Sequence, residues 1–335
     1  MKKVLLGGKR NFYKANLHCH SNLSDGTLSP EELKDLYKGA GYSILAITDH
    51  ESIRCHSYLD DEDFLTVTAM EIAIKERLVS TSVDRHMKVC HLNVYAKEQE
   101  NDYNVCYSAE YDKYSKKERV AAILEKSGAD YKRVYGADGI NDIIDTANKN
   151  GFLVCYNHPA WSLENYTHYS KYDGLWAVEV FNTECVREGI FEYNQQVLDD
   201  LLRMEKKVFP IAADDNHNAS GTADSFGGFI MVNADELKYK NVMDSLEAGD
   251  FYASTGPLID EVLVEGDSVT VKCSNAKFIG MSTSGRRCEC LHAEGGSYVT
   301  EATFKYNPDD IYFRIDVVDE HGNRANTRAF FIDEI

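Results

Sequence analysis

This sequence lacks any apolar run that approaches the roughly 20 residues needed to cross a bilayer, so membrane insertion is excluded at this level. It also lacks an excess of positive charge. Its 36 Lys and Arg stand against 55 Asp and Glu, a net charge of −19. The deficit is spread along the chain, with 8 basic against 14 acidic residues from Gly256 onward and 28 against 41 before it. Without a basic surface, the electrostatic part of non-specific nucleic-acid affinity is missing, and a long DNA or RNA partner is disfavoured. A small anion stays open, because a metal cluster is a local positive charge that whole-chain bookkeeping misses. No cysteine framework is present: the nine cysteines are irregularly spaced. The apolar run after Met1-Lys2-Lys3 is too short for a secretory core, so reduced thiols and a cytoplasmic location are expected. Internal repeats, low-complexity tracts and a convincing Ser-His-Asp set are all lacking.

What is there is ordinary in bulk: 43% hydrophobic and 27% charged residues, in a length comfortable for two domains. Residues 11–18 and 43–48 read as buried strands around a punctuated helix. Ser29 is its N-cap, Pro30 takes the first position, and Glu32 completes a capping box. Leu33, Leu36, Tyr37 and Ala40 follow a helical stripe that Gly41 closes, which makes a strand–helix–strand unit with parallel strands. Further strands are predicted at 64–69, 89–96, 152–156, 175–181, 208–212 and 226–232, and helices at 107–127, 139–150, 189–206 and 236–248. Such alternation suggests a barrel-like α/β domain over residues 1–255. Beyond Thr255-Gly256-Pro257 only short β runs occur, split by Gly, Asn and Asp, and residues 256–335 read as a small all-β sandwich.

Leu17-His18-Cys19-His20, followed by Ser24-Asp25-Gly26, carries the first chemical signal. Imidazoles at i and i+2 of an extended segment share a face, and Cys19 points away. Neutral imidazole and carboxylate are ligands of Zn, Mn and Fe. The pattern recurs after apolar runs: Thr48-Asp49-His50, Met70-Glu71, His91, Asn157-His158-Pro159 and Asp214-Asp215-Asn216-His217. Functional groups of α/β barrels cluster at C-terminal strand ends, so these distant residues are expected to converge.

Together these motifs resemble the PHP (polymerase and histidinol phosphatase) domain family over about residues 10–255, and they keep that family's order. The junction at 251–257 followed by a β domain resembles two-domain bacterial metal-dependent phosphoesterases. The resemblance implies a distorted, seven-stranded α/β barrel with two or three divalent metal ions at its strand ends. It places His18, His20, Glu71 and Asp215 on one ion, Glu71, His91 and His158 on a second, and Asp25, His50 and His217 on a third. Many relatives have histidine where Asp25 stands, and aspartate there resembles a nucleotide-phosphatase-like branch. The last motif usually reads Ser-Asp-x-His, which makes Asp215 the ligand and Asp214 an added acid. His86 is the substitute if His91 is a plain strand histidine. Cys288-Glu289-Cys290 reads as an exposed strand.

The expected chemistry is hydrolysis of a small phosphate ester, of nucleotide, bisphosphate or sugar-phosphate type. Two metals about 3.5–4 Å apart lower the pKa of a bridging water and supply hydroxide near neutral pH. His217, Asp25 and Asp49 are the candidates for proton transfer or for orienting a ligand imidazole. Arg54 and His56, just beyond His50, are placed to meet a substrate phosphate. Mixed imidazole and carboxylate sites accept Mn, Fe and Zn alike. The same hydroxide also suits an amide or lactone, and a non-catalytic, metal-stabilised binding protein is the reading from another class. The β domain covers the barrel, binds a ligand or forms a homo-oligomer.

Overall fold

The computed structural model describes residues 2–77, 86–127, 129–190 and 193–335. Its strands are β1 (Lys2–Leu6), β2 (Asn11–Asn16), β3 (Ile44–Ile47), β4 (Leu65–Lys75), β5 (Val89–Ala96), β6 (Phe152–Tyr156), β7 (Ala177–Asn182), β8 (Phe209–Ala213), β9 (Phe229–Ala234) and β10 (Phe251–Ser254). There follow β11 (Ile259–Glu265), β12 (Ser268–Ala276), β13 (Phe278–Thr283), β14 (Cys288–His292), β15 (Val299–Lys305), β16 (Tyr312–Val318), β17 (Arg324–Thr327) and β18 (Phe330–Phe331). The helices are α1 (Pro30–Gly39), α2 (Lys117–Ser127), α3 (Ala137–Lys149), α4 (Tyr166–Tyr169), α5 (Thr183–Arg187), α6 (Gln195–Arg203) and α7 (Tyr239–Ala248). No helix among the described residues is long and apolar enough to cross a membrane.

Helix formation follows the local signals closely where capping and stripe agree. Ser29 and Glu32 form the reciprocal capping box at the start of α1. Ile140, Ile143, Ile144 and Ala147 bury one face of α3 against the sheet. The helix expected at 107–127 begins only at Lys117, because Asp112 accepts the backbone N–H groups of Tyr114 and Ser115 at 3.2 and 2.9 Å. An Asx turn of this kind offers the backbone an alternative to the helix. The helix expected at 189–206 shortens to α6, which begins at Gln195, and a short α5 that was not expected precedes it and ends before Gly189, whose φ is +92°. Residues 191 and 192 of that stretch lie outside the described residues.

Strands β2 to β8 lie side by side in sequence order. The β2/β3, β3/β4, β6/β7 and β7/β8 pairs are parallel, whereas β5 is antiparallel to both neighbours. These are seven strands in the order a distorted barrel would have, but no β8–β2 ladder closes them among the described residues. The outer edge of β2 is taken by β9, which pairs with it antiparallel from Asn11 to Ala15, so β8 cannot ladder there. The two edges meet where the strands end, at the Cys19–Asn216 bridge. There Asp215 donates its N–H to His18 O at 2.9 Å and His20 donates to Asn216 O at 3.0 Å.

The large sheet runs on from β9 through β10 and β17 to β16, β13 and β14. A four-stranded sheet, β1-β11-β12-β15, faces it. Val262, Val264, Val269, Val271 and Phe304 from the small sheet share one core with Ile279, Met281, Phe313, Ile315 and Val317 from the large one. That is sandwich packing. β1, at the start of the chain, pairs with β11, and Leu6 packs in this second core, on the far side of the division expected at residue 256. Gly7 turns the chain back toward β2 at φ +85°, where a Cβ would stand 2.1 Å from Asp260 O.

Candidate metal centre

His18 and His20 follow β2 and are both fully buried, while Cys19 packs the other way against Leu45, Ile47 and Phe64. His50 follows β3 and bridges to Glu71 in β4. His91 sits near the start of β5, yet it reaches the same end of the sheet: β5 runs antiparallel, so His91 pairs with Ala73. His158 follows β6, and Asp215 and His217 follow β8. Asp215 and His158 hold left-handed backbone, at φ 56° and 26°. Each such residue costs about 1–3 kcal/mol, a strain typical of functional sites.

All nine predicted ligand side chains converge. Glu71 lies at the centre, with His91 Nδ1 at 3.0 Å, His18 Nε2 at 3.3 Å and His158 Nε2 at 3.4 Å from Oε1, and His50 Nδ1 at 3.1 Å from Oε2. Asp215 Oδ1 stands 3.0 Å from both His18 Nε2 and His20 Nε2. Asp25 faces His50 Nε2 at 3.3 Å and His217 Nε2 at 3.4 Å. In each of the groups His18/His20/Glu71, His18/His158/Asp215, Glu71/His91/His158 and His20/Asp25/His50/His217 the ligand atoms lie within 4.8 Å of one another. Ligands about 2 Å from a common ion stand about 3–4 Å apart, so these spacings suit divalent ions.

The buried nitrogens make the same point. His18 Nε2, both ring nitrogens of His20 and His158 Nδ1 have no hydrogen-bond partner among the described residues, although His18 and His20 are 0% exposed. A buried polar atom left unpaired costs about 1–3 kcal/mol. Contacts of 3.0 Å to carboxylate oxygens outside hydrogen-bond alignment mean that donor atoms aim at shared space rather than at each other. The residues fit a cluster of divalent ions.

Electrostatics agree with a carboxylate-rich core. Burial pulls the His50 imidazole down, but the Glu71 charge and the Asp25 hydrogen bond outweigh it and hold it at about 9. Burial likewise opposes, and Asp25 and Glu184 overcome, at His217, which is pushed up to about 12. His91 goes the other way, to about 4, because burial dominates. Burial would raise Glu71, yet the surrounding imidazoles hold its carboxyl well below the ordinary range.

Three expected residues do other work. Asp49 accepts from Ser21 N, Ser21 Oγ and Ser24 Oγ at 2.8, 2.6 and 2.7 Å, which holds the loop leading to Asp25 and keeps its carboxylate away from the cavity wall. Arg54 and His56 line a different cavity altogether. His86 is exposed and outside the cluster. Asp214, the added acid, accepts the N–H groups of Phe226, Gly227 and Gly228 at 2.7, 2.9 and 3.0 Å. Those bonds are why β9 begins at Phe229 and not at the expected 226.

Several residues were missed. Glu179 accepts the His18 Nδ1–H at 2.6 Å, which turns His18 Nε2 toward the cluster. Its signal was a lone carboxylate inside the apolar strand β7. Asn157 donates to Glu71 Oε1 at 2.8 Å and Asn182 to Asp215 Oδ2 at 3.0 Å. Glu184 faces His217 Nδ1 at 2.9 Å. The cluster opens into a cavity of about 320 Å³ whose wall includes Lys75, Lys113, Tyr114, Trp161 and Glu184. Tyr114 donates to Asp25 Oδ2 at 3.0 Å and stacks on His50.

Residues 16–210 match the family model described as the PHP domain. Over 40 residues, 12% of this chain, the sequence is 50% identical to a 5'-3' exoribonuclease of Haemophilus influenzae, and the match spans 15% of that protein's length. Among solved structures, a two-domain protein of Bacteroides vulgatus, described as containing a "predicted PHP-like metal-dependent phosphoesterase", is similar over 98% of both chains at 16% identity and a TM-score of 0.47. An amidohydrolase of Chromobacterium violaceum is similar over 71% of this chain and 96% of that one, at 13% identity and a TM-score of 0.41.

Proposed function

The chain belongs to the PHP domain family, and from that premise we propose that it is a metal-dependent phosphoesterase acting on a small phosphate ester of nucleotide, bisphosphate or sugar-phosphate type. The observation that carries the reading is the convergence of nine imidazoles and carboxylates, seven of which line a cavity of about 320 Å³, at the lower end of the range for small-ligand sites. Two or three divalent ions (Mn, Fe or Zn) held by these residues would activate water toward phosphorus and neutralise phosphoryl oxygens.

The chain's own groups do the rest. Glu179 and Asn157 orient His18 and Glu71. Lys75 and Lys113 bring positive charge to the wall, where an ester's phosphate enters past the acidic exterior. Trp161, against His91 and His158 with ring centroids 5.1 and 4.8 Å away, closes the apolar side and excludes water. Glu184 and His217, 2.9 Å apart, form a pair at the cavity wall that can hold one proton for a leaving oxygen.

Elemental analysis of the purified protein, joined to a panel of nucleotides, bisphosphates, sugar phosphates, amides and lactones, tests this. Turnover confined to amides or lactones, or binding of esters without turnover, sinks the proposal. A second reading, cleavage of RNA from an end, rests on the 50% identity over 40 residues with the exoribonuclease. Release of mononucleotides from an oligoribonucleotide at a higher kcat/KM than any monomeric ester would put it first.

A further inference from the structure

A second cavity, of about 480 Å³, lies beyond the loop that follows His50, and it shares no lining residue with the metal cavity. Its wall carries Arg54, His56, Arg119 and Lys126, with Glu100 and Asp102 among them. Lys126 is paired with Asp102. Arg119 donates from Nε to Ser52 Oγ and from Nη2 to Ile53 O, both at 2.6 Å, which fixes the plane of its guanidinium without neutralising it. Arg54 has no carboxylate partner among the described residues, and its Nε is buried without a hydrogen bond. His56 is 4% exposed, and neither of its ring nitrogens has a hydrogen-bond partner among the described residues.

Two guanidiniums without carboxylate partners therefore stand in one cavity beside a buried imidazole that has hydrogen-bonding capacity to spare. Burial and the Arg54 charge both push Arg119 down, so the pair repel each other across partly desolvated space. Burial pushes His56 down as well, which leaves it a neutral ring with one N–H to donate. Guanidiniums that face no carboxylate, together with a buried N–H donor, match the oxygens of a tetrahedral anion. We propose that this cavity is a separate binding site for a small oxyanion of the phosphate class, held by the guanidiniums of Arg54 and Arg119 and by an N–H of His56. It is independent of the metal cavity and of what that cavity hydrolyses.

The test titrates inorganic phosphate, and separately a ribonucleoside monophosphate, into the full-length metal-loaded protein by calorimetry. Wild type is compared with Arg54→Met and with Arg54→Lys, which keeps the charge but loses the fork. The site predicts two classes of anion binding in wild type. Arg54→Met should weaken one class about tenfold or more and Arg54→Lys by less, with turnover at the metal cavity within about twofold of wild type. Whichever titrant loses its response identifies the form of phosphate the site takes. Crystals soaked in tungstate should show anomalous density between Arg54 and Arg119. A single class of binding indifferent to both variants, with tungstate confined to the metal cavity, overturns the proposal. Binding is read directly, so failure of the phosphoesterase assay leaves this test standing.

Discussion

Glu179 holds two ligands from two different strands with one carboxylate: Oε1 accepts His18 Nδ1–H at 2.6 Å, and Oε2 accepts the backbone N–H of His158 at 2.8 Å. It touches no shared ligand space itself, yet it sets the tautomer of His18 and the position of the strained residue His158.

Glu179→Gln should therefore leave the fold intact and weaken metal binding about 10–100-fold, the usual effect of losing a carboxylate behind a ligand imidazole. Chelator competition measures it. Unchanged affinity would show that His18 is oriented by packing alone.

Adjacent acids should behave oppositely. Asp214 satisfies three backbone N–H groups together with Thr183 and Tyr37, so Asp214→Asn turns an amide N–H toward donors and costs about 1–3 kcal/mol of stability or more. Asp215→Asn removes a charge shared by His18 and His20 and should abolish activity with a small change in the melting temperature of the metal-free protein. Thermal melts and phosphatase assays on the two variants decide it; reversed phenotypes would exchange their roles.

Loading the cluster should release protons. His158 at about 8, His50 at about 9 and His217 at about 12 are protonated at pH 7 in the metal-free fold, and coordination needs their lone pairs. Metal affinity should rise with pH through 8 and 9. Calorimetry in buffers of different ionisation enthalpy would detect the release, and buffer-independent heats would contradict it.

The same raised values make the metal-free protein weaker in alkali. A histidine held above its ordinary 6.5 contributes stability that is fully present below that pH and is lost as pH rises toward its folded value. His20 and His91, both pushed down, are neutral in folded and unfolded chains above pH 7 and add no slope there. Melting temperature should fall between pH 7 and 9 without metal. A flat profile would mean the carboxylates do not hold these protons.

Lys113→Met should raise KM for a phosphate ester about tenfold while kcat changes little, since the lysine lines the wall and is absent from the metal-ligand groups. Burial and the neighbouring Lys113 charge push Lys75 down, so removing Lys113 also lets Lys75 hold its proton more firmly. A drop in kcat with KM unchanged would place Lys113 in the transition state instead.

Local order in the chain determined the parts of this protein whose geometry is local. Alternation put His18 and His20 on one face with Cys19 behind them, Ser29 and Glu32 started α1, and apolar runs ending in Glu71, His158 or Asp215 marked where ligands leave the strands. Partners set by the path of the chain were not legible. Glu179 meets His18 across 161 residues, and β1 joins β11 from the opposite end of the chain. β9 takes the edge of β2 that a closed barrel would have used. Arg54 and His56 were misplaced for the same reason: a loop has no fixed period, so closeness to His50 in sequence says nothing about which way its side chains turn. Tertiary structure turned them into a second cavity, because only the completed fold determines which surfaces a loop lies between.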